Sequence, residues 1–235
     1  MKINIIFPCY NEEKFIETTV NKIQKNIDPK NDKIIMVDDF SSDNTYNKII
    51  DLKKKFENIV HIKNPKNSGK GSCIKNALDL VDDCDIVIIQ DADLEYDPAD
   101  YKKLIHPFKE YNADIVFGSR YKSDNVRKVS YYWHTVANNL LTFLVNILNN
   151  TNLTDMETGY KLFKKNVIKE IDLKERRFGF EPEITIKSIQ KKYSIYEVGI
   201  SYNPRGYKDG KKIKLIDAIL AVYYIFKYTF IKFLK

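Results

Sequence analysis

Apolar runs of strand length alternate with amphipathic stretches of helix length through the first half of the chain. The strand candidates span 3–7, 33–37, 58–62, 85–89 and 114–117, and the helix candidates lie around 12–27, 43–56, 70–80 and 98–110. This order predicts a largely parallel sheet with helices on both faces. Ligands bind such a sheet beyond the carboxyl ends of its strands, so the residues that follow each apolar run are the candidates for chemistry.

The second half of the chain has a different pattern. Residues 129–154 include no Asp, Glu, Lys or Arg, but they include several asparagines. Side-chain amides are costly in hydrocarbon unless they find internal partners. We therefore expect a helix that packs within the protein and borders an apolar substrate, rather than a membrane span.

The C-terminal segment combines aromatic and basic residues. Eight basic residues and two acidic ones lie between residues 204 and 235. Lys227 and Lys232 interrupt the apolar run before it is long enough for a transmembrane helix. This pattern is typical of an amphipathic helix in the headgroup region of a membrane, with its lysines reaching outward. The alternative is a helix packed on the sheet or on a second subunit. We expect one α/β domain over 1–212 and this helix over 213–235.

Composition narrows the class of protein. A chain of 235 residues suits a single domain, and the net charge of +7 favours an anionic partner. The three cysteines have no metal-ligand spacing, which favours reduced thiols in the cytoplasm. The N-terminus lacks the long apolar region of a signal peptide, and no basic–aromatic motif for nucleic acid is present.

The sequence matches neither of two common phosphate-binding motifs. The turn after the first strand, residues 8–13, contains no glycine, so it is not a dinucleotide fingerprint. Residues 67–72 resemble a phosphate loop, but Gly71 follows Lys70 where Ser or Thr is required. A basic turn that opens a helix remains, and its N–H groups could face an anion.

Paired carboxylates follow two of the predicted strands. Asp38 and Asp39 could contact a base or ribose, or stabilise the start of the next helix. Asp91 and Asp93 follow the fourth strand at a spacing that points both side chains the same way. They would repel each other unless a cation lay between them, and their hard oxygens suit Mg²⁺ or Mn²⁺.

Eight segments in order resemble family 2 glycosyltransferases of the GT-A fold, and within them the dolichyl- or polyprenyl-phosphate hexosyltransferases similar to dolichol-phosphate mannose synthase. They are FPCYNEE (7–13), VDDFSSDNT (37–45), NSGKGS (67–72), QDADLEYDP (90–98), GSRY (118–121), TDMETGYKLF (154–163), GFEPEI (179–184) and YNPRGYKDGKKI (202–213). Together they cover nearly the whole chain. The resemblance implies a Rossmann-like α/β domain with a mostly parallel sheet flanked by helices.

The resemblance also implies roles for individual residues. The positions that match the nucleotide-sugar pocket are Pro8, Tyr10, Glu12, Val37, Asp39, Lys70, Asp91, Ala92, Asp93, Arg120 and Arg205. The expected metal ligands are Asp91, Asp93 and Glu95, and the expected catalytic residues are Asp93, Arg120, Arg127, Asp155 and Glu181. Arginine forks grip phosphate oxygens and neutralise charge as a leaving group departs.

The expected activity is metal-dependent, inverting transfer of a hexose from a UDP- or GDP-hexose to a polyprenyl phosphate. A phosphate acceptor is already anionic and needs no general base. A sugar or protein hydroxyl is the alternative acceptor, and Asp155 or Glu181 would then take the proton. A nucleotidyltransferase and a non-catalytic basic membrane-binding module are the remaining alternatives. The expected location is cytoplasmic, peripheral on the cytoplasmic face of a membrane.

Two departures from the family pattern matter. Phe40 stands where the family usually has glycine, so that turn could be tighter or aimed differently. Many members continue into transmembrane helices, whereas this sequence has one basic, aromatic C-terminal segment. Membrane attachment through a surface helix, or an acceptor that is not a lipid, would each account for the difference.

Overall fold

The computed structural model describes residues 1–122, 128–129, 131–177, 179–206 and 215–230, with the side chain of residue 215 left out. Its strands are β1 (Ile3–Cys9), β2 (Lys33–Asp38), β3 (Ile59–Lys63), β4 (Ile86–Ile89), β5 (Ile115–Ser119), β6 (Lys161–Lys164) and β7 (Ile195–Gly199). Its helices are α1 (Ile16–Gln24), α2 (Thr45–Lys55), α3 (Lys70–Leu78), α4 (Tyr101–Glu110), α5 (Tyr132–Asn149), α6 (Lys165–Glu170), α7 (Phe180–Gln190) and α8 (Leu215–Phe230). A short 3-10 turn, Pro98–Asp100, precedes α4.

The seven strands form one sheet in the order β3-β2-β1-β4-β6-β5-β7. All neighbours pair in parallel except β6, which runs antiparallel to both β4 and β5. The predicted mostly parallel α/β fold is therefore confirmed. Because β6 is reversed, its first residue lies at the same edge as the last residues of β1, β2, β4, β5 and β7. The loops at that edge carry the candidate site.

Alternation of side chains along the buried strands gives the sheet two apolar faces. One face packs against α1, α2 and α4 through residues such as Ile5, Met36 and Ile88. The opposite face packs against α3 and the later helices through residues such as Ile6, Val37 and Phe117. Every strand that leads into the site is thus held from both sides. Burial on this scale supplies most of the favourable free energy of folding.

The predicted helix in 129–154 is present as α5, and it packs against the protein along one face, while large apolar residues on its other face are exposed. Leu141, Thr142 and Val145 lie on its buried face. Asn146 satisfies its amide locally, because its side chain donates to the Leu153 carbonyl and accepts from the Leu153 N–H. Among the described residues, no helix is both long and apolar enough to cross a bilayer.

The three cysteines, Cys9, Cys73 and Cys84, are buried and free. Phe40 adopts φ +63°, the left-handed backbone region that glycine enters without steric cost. The turn after β2 therefore keeps the backbone conformation that favours glycine, although this chain has an aromatic residue there.

Candidate active site

The turn after β4 contains the first carboxylate cluster. Asp91 Oδ1 lies 2.8 Å from the Lys70 ammonium, and Lys70 lies 3.0 Å from Glu181 Oε1. Lys70 opens α3 and Glu181 lies in the first turn of α7, so three separate elements meet here. Burial opposes the charged form of Lys70, but the charges of Asp91 and Glu181 outweigh it and raise the pKa of Lys70.

Arg205 forms the second cluster on the neighbouring carboxylates. Its guanidinium donates to Asp93 Oδ2 at 2.8 Å and to Glu12 Oε2 at 3.2 Å, and its backbone N–H donates to Glu95 Oε1 at 2.9 Å. Burial, with the charges of Asp91 and Glu95, raises the pKa of Asp93 to about 7, against the opposing effect of Arg205. The turn after β4, which carries Asp91, Asp93 and Glu95, is called the acidic turn below. It concentrates negative charge that Lys70 and Arg205 only partly offset.

Glu95 has further partners beside Arg205. The Tyr202 hydroxyl donates to Glu95 Oε2 at 2.8 Å. Glu95 is therefore occupied by its own chain on both oxygens, unlike a carboxylate that faces open space. Its predicted role as a metal ligand stays a prediction.

Arg120 and Asp155 form a buried ion pair at the end of β5. Asp155 accepts the Arg120 backbone N–H at 3.0 Å, Nε at 2.7 Å and Nη2 at 2.6 Å. Nη2 also donates to Asn138 of α5 at 3.0 Å. Burial acting alone would lower the pKa of Arg120. The negative charge of Asp155 outweighs burial and raises the pKa of Arg120 above its ordinary value. Arg120 is thus a fixed, permanent positive charge.

Two residues that the sequence did not single out support this pair. Glu197 on β7 accepts the backbone N–H of Thr154 at 2.8 Å and that of Asp155 at 3.2 Å, so it fixes the loop that carries Asp155. The Tyr202 ring lies 5.3 Å from the Arg120 guanidinium carbon. Since Tyr202 also donates to Glu95, it connects the Arg120 pair to the Arg205 cluster.

The predicted nucleotide-binding residues lie at the ends of β1 and β2. Tyr10 and Glu12 follow β1, and Pro8 and Val37 lie within strands, Val37 fully buried in the core. Asp39 is buried and accepts the N–H groups of Ser68 and Gly69 at 2.9 and 2.7 Å. Asp39 thereby holds the turn that presents Lys70.

The structure brings the remaining candidates together at one edge of the sheet. Ala92 is buried between the two aspartates. Arg127 lies outside the described residues.

No group of three His, Cys, Asp or Glu side chains within the described ranges is close enough to hold a metal ion alone. A metal at Asp91 and Asp93 would need further oxygen ligands from a substrate and water, which is usual for Mg²⁺.

The family model described as Glycosyl transferase family 2 matches residues 4–172. The chain belongs to glycosyltransferase family 2. It is an enzyme of the glycosyltransferase class, and its structure has the GT-A fold.

Several curated relatives have dolichyl or dolichol phosphate in their names. The chain is 32% identical over 216 residues to a UDP-N-acetylglucosamine–dolichyl-phosphate N-acetylglucosaminyltransferase of Methanococcus voltae, and the match covers 84% of each chain. It is 28% identical to a dolichol-phosphate mannosyltransferase of Pyrococcus furiosus, over 90% of this chain and 59% of that one. The chain thus spans less than two thirds of the second relative's length.

Solved structures with the same fold include glucosyl-3-phosphoglycerate synthase of Mycobacterium tuberculosis. One complex, with Mn²⁺, UDP and phosphoglyceric acid, has a TM-score of 0.75 at 17% identity and covers 97% of this chain and 78% of that one. At this identity the match establishes the fold alone.

Proposed function

We propose that the chain transfers a hexose, with inversion, from a nucleotide-diphosphate sugar to a polyprenyl phosphate, and that it requires Mg²⁺ or Mn²⁺. The observation that carries this proposal is the pairing of Asp91 with Lys70 and of Asp93 with Arg205, at 2.8 Å each. Two anions and two cations converge at the end of β4. Such a set can hold a divalent ion through its carboxylates and the oxygens of a diphosphate through its cations.

The acidic turn fits a divalent cation on the evidence of its own charges. Burial raises the pKa of Asp93, and the negative charges of Asp91 and Glu95 add to that rise against the opposing charge of Arg205, so three carboxyl groups repel one another here. Asp91 and Asp93 are the residues that would hold the ion. When bound, the ion would stabilise negative charge on the departing diphosphate. Mn²⁺ with UDP in a synthase of the same fold is consistent with this assignment.

Lys70 and Arg205 would then act on the donor phosphates. In the structure their charges are taken up by Asp91 and Asp93. Once those carboxylates bind a cation, the lysine and the arginine can turn to phosphate oxygens. The chain's own cations thus position the diphosphate and offset its repulsion with the acceptor.

Arg120 is the candidate for the acceptor phosphate. It is buried, permanently charged and fixed by Asp155 and Asn138. A polyprenyl phosphate is an anionic nucleophile, so attack at the anomeric carbon needs no proton acceptor. Asp155 and Glu181, the alternative bases for a hydroxyl acceptor, are engaged with Arg120 and Lys70. The geometry therefore favours positioning roles for both, and the names of the relatives favour the lipid acceptor.

The side chains on α5 and α8 suggest how the protein meets its lipid substrate. Large apolar residues at helical spacing are exposed on both helices: Trp133, Val136, Leu140, Phe143 and Ile147 on α5, and Ile216, Ile219, Leu220, Tyr223, Phe226 and Phe230 on α8. The two helices are in contact, and Asn149 donates to Thr229 at 3.1 Å between their C-terminal ends. We call these eleven exposed apolar residues of the two helices the α5–α8 apolar stripe.

The α5–α8 apolar stripe suits the interfacial region of a bilayer. A patch of this kind on a surface is unfavourable unless something covers it. Lysines are frequent in the sequence on both sides of α8, which suits anionic headgroups. Asn138 on the opposite side of α5 contacts Arg120, so the helix would join the membrane surface to the candidate acceptor site. We therefore propose peripheral attachment to the cytoplasmic face of a membrane.

Calorimetry with UDP and GDP, with and without Mg²⁺ or Mn²⁺, tests the donor site. We expect binding by the wild type to depend on the metal, and Asp93→Asn to abolish that dependence. Asp97→Asn is the matched control, because Asp97 lies four residues on and pairs with surface Lys22 at 3.1 Å. Metal-independent binding by the wild type, or equal effects of the two variants, would contradict the proposed metal site.

Sedimentation with anionic and neutral vesicles tests the membrane surface. We expect the double variant Phe143→Ser, Ile147→Ser to lose vesicle binding. Tyr111→Ser is the control, because Tyr111 is also an exposed aromatic residue (59%) but follows α4 on the other face of the sheet. Equal vesicle binding by the double variant and the control would rule out the α5–α8 apolar stripe as the contact.

A further inference from the structure

One carboxylate at the site has no assigned role. Glu157 lies in the turn between α5 and β6, and its Oε1 atom is buried without a hydrogen-bond partner among the described residues. Burial and the charge of Glu181 raise the pKa of Glu157 to about 7, against the pull of Lys161 and Arg120. A buried acceptor left unpaired is destabilising, so Glu157 Oε1 calls for a donor that the described part of the chain does not supply.

The backbone around Glu157 is held firmly. The buried Lys161 ammonium donates to the carbonyl of Met156 at 2.8 Å and to that of Thr158 at 2.6 Å. The Thr158 hydroxyl donates to the Gly118 carbonyl. Hydrogen bonds therefore fix both neighbours of Glu157 in the chain, so the backbone that carries its carboxylate has a fixed position.

This turn borders both halves of the site. At one end, Asp155 binds Arg120. At the other end, Gly159 lies so close to the acidic turn that a Cβ there would stand 2.3 Å from Asp91 Oδ2. If Asp91 holds the donor diphosphate and Arg120 the acceptor, as proposed above, the hexose must lie between them, along the turn that carries Glu157.

The chemistry of Glu157 selects among the groups that could lie there. The negative charge of Glu157 would repel the phosphates of the donor and of the acceptor, so a phosphate is not its partner. Sugar hydroxyls are neutral donors, and a carboxylate accepts two of them through its two oxygens. We propose that Glu157 accepts hydrogen bonds from hydroxyl groups of the donor hexose and contributes to the choice of sugar. This inference rests on the proposed function.

Calorimetry on Glu157→Leu with two kinds of probe tests the inference. The probes are UDP and GDP, and the UDP- or GDP-hexose that the wild type binds most tightly, all with Mg²⁺ or Mn²⁺. We expect affinity for the free nucleotide to change less than about twofold. Affinity for the nucleotide-sugar should fall about 10- to 100-fold, the usual effect of losing hydrogen bonds to a charged group.

Thermal unfolding of the ligand-free variant separates sugar recognition from a structural role. Removing a carboxylate whose buried Oε1 atom has no partner among the described residues should leave the unfolding midpoint unchanged or raise it. A lower midpoint, equal losses for nucleotide and nucleotide-sugar, or no loss for either would each overturn the assignment of Glu157. A wild type that binds none of the nucleotide-sugars would instead refute the proposed function itself, and this inference with it.

Discussion

The ion pair between Arg120 and Asp155 gives a quantitative prediction about stability. Asp155 is fully buried, and its carboxylate accepts three N–H groups of Arg120, the shortest at 2.6 Å. Asp155→Asn keeps the shape of the side chain but removes its charge and one acceptor oxygen. The guanidinium, whose side chain is 15% exposed, stays charged because arginine does not lose its proton in proteins.

Breaking a buried pair by removing one partner costs about 3–5 kcal/mol. An amide oxygen in the place of Oδ2 can still accept the two N–H groups that reach that atom, so we expect the lower end, about 3 kcal/mol. For a chain of this length, that loss corresponds to a fall of roughly 6–12 °C in the unfolding midpoint. Transfer to the acceptor should fall as well, because Arg120 loses its orientation.

Urea unfolding followed by circular dichroism measures the loss directly. Glu17→Gln is the matched control, since Glu17 pairs with Lys48 at 3.2 Å on the surface, and its side chain is 55% exposed. Exposed pairs contribute less than about 1 kcal/mol. If the two variants lose the same free energy of unfolding, within about 0.5 kcal/mol, the Arg120–Asp155 pair does not hold the site as described.

Three further predictions concern the turns around the site. Gly159→Ala would place a Cβ 2.3 Å from Asp91 Oδ2 and 2.7 Å from the Tyr96 ring. We therefore expect metal-dependent binding of UDP or GDP, measured by calorimetry, to weaken at least tenfold. Unchanged affinity would show that Asp91 is not at the site. Phe40→Gly should raise the free energy of unfolding by about 1 kcal/mol, because Phe40 adopts φ +63°; a loss in urea unfolding would contradict the argument from backbone strain. Glu157 has a pKa of about 7 in the fold against an ordinary value of 4.5, so the folded chain holds more protons within that window and stability should fall as pH rises through it. Glu157→Gln should flatten that part of the stability profile, and an unchanged slope would refute the shift.

The first half of the fold could be predicted because its strands are continuous apolar runs with amphipathic helices between them. The predicted strand at 33–37 is β2, and the predicted helix at 70–80 is α3, with ends shifted by a residue or two. The helix expected over 12–27 is shorter, Ile16–Gln24, because the backbone carbonyl of Glu12 accepts the N–H groups of Phe15 and Ile16 in a turn before it.

The second half could not be predicted at the same level. Strand β6 has four residues with a lysine at each end, so its pattern does not stand out from a loop. Its antiparallel direction depends on tertiary packing between β4 and β5 rather than on its own sequence. Strand β7 is only five residues long and partly exposed.

The candidate site shows the same limit. The rule that chemistry follows strand ends led to Asp91 and Asp93, and the family resemblance added Arg120. The structure places all three at one edge of the sheet. Asn138, which contacts Arg120, and Glu197, which holds the loop of Asp155, lie inside a helix and a strand, where an amide or a carboxylate gives no sequence signal. Glu157 is visible only as a buried oxygen without a partner among the described residues.

Sugar transfer to a polyprenyl phosphate is the measurement that tests the central claim most directly. The assay uses labelled UDP- and GDP-hexoses with Mg²⁺ or Mn²⁺, and it follows label that enters the lipid phase. We predict metal-dependent lipid product from one donor, abolished in Asp93→Ala and retained in Asp97→Asn. Lipid product that forms equally well without metal or in Asp93→Ala would contradict the account, and so would donor hydrolysis without any lipid product.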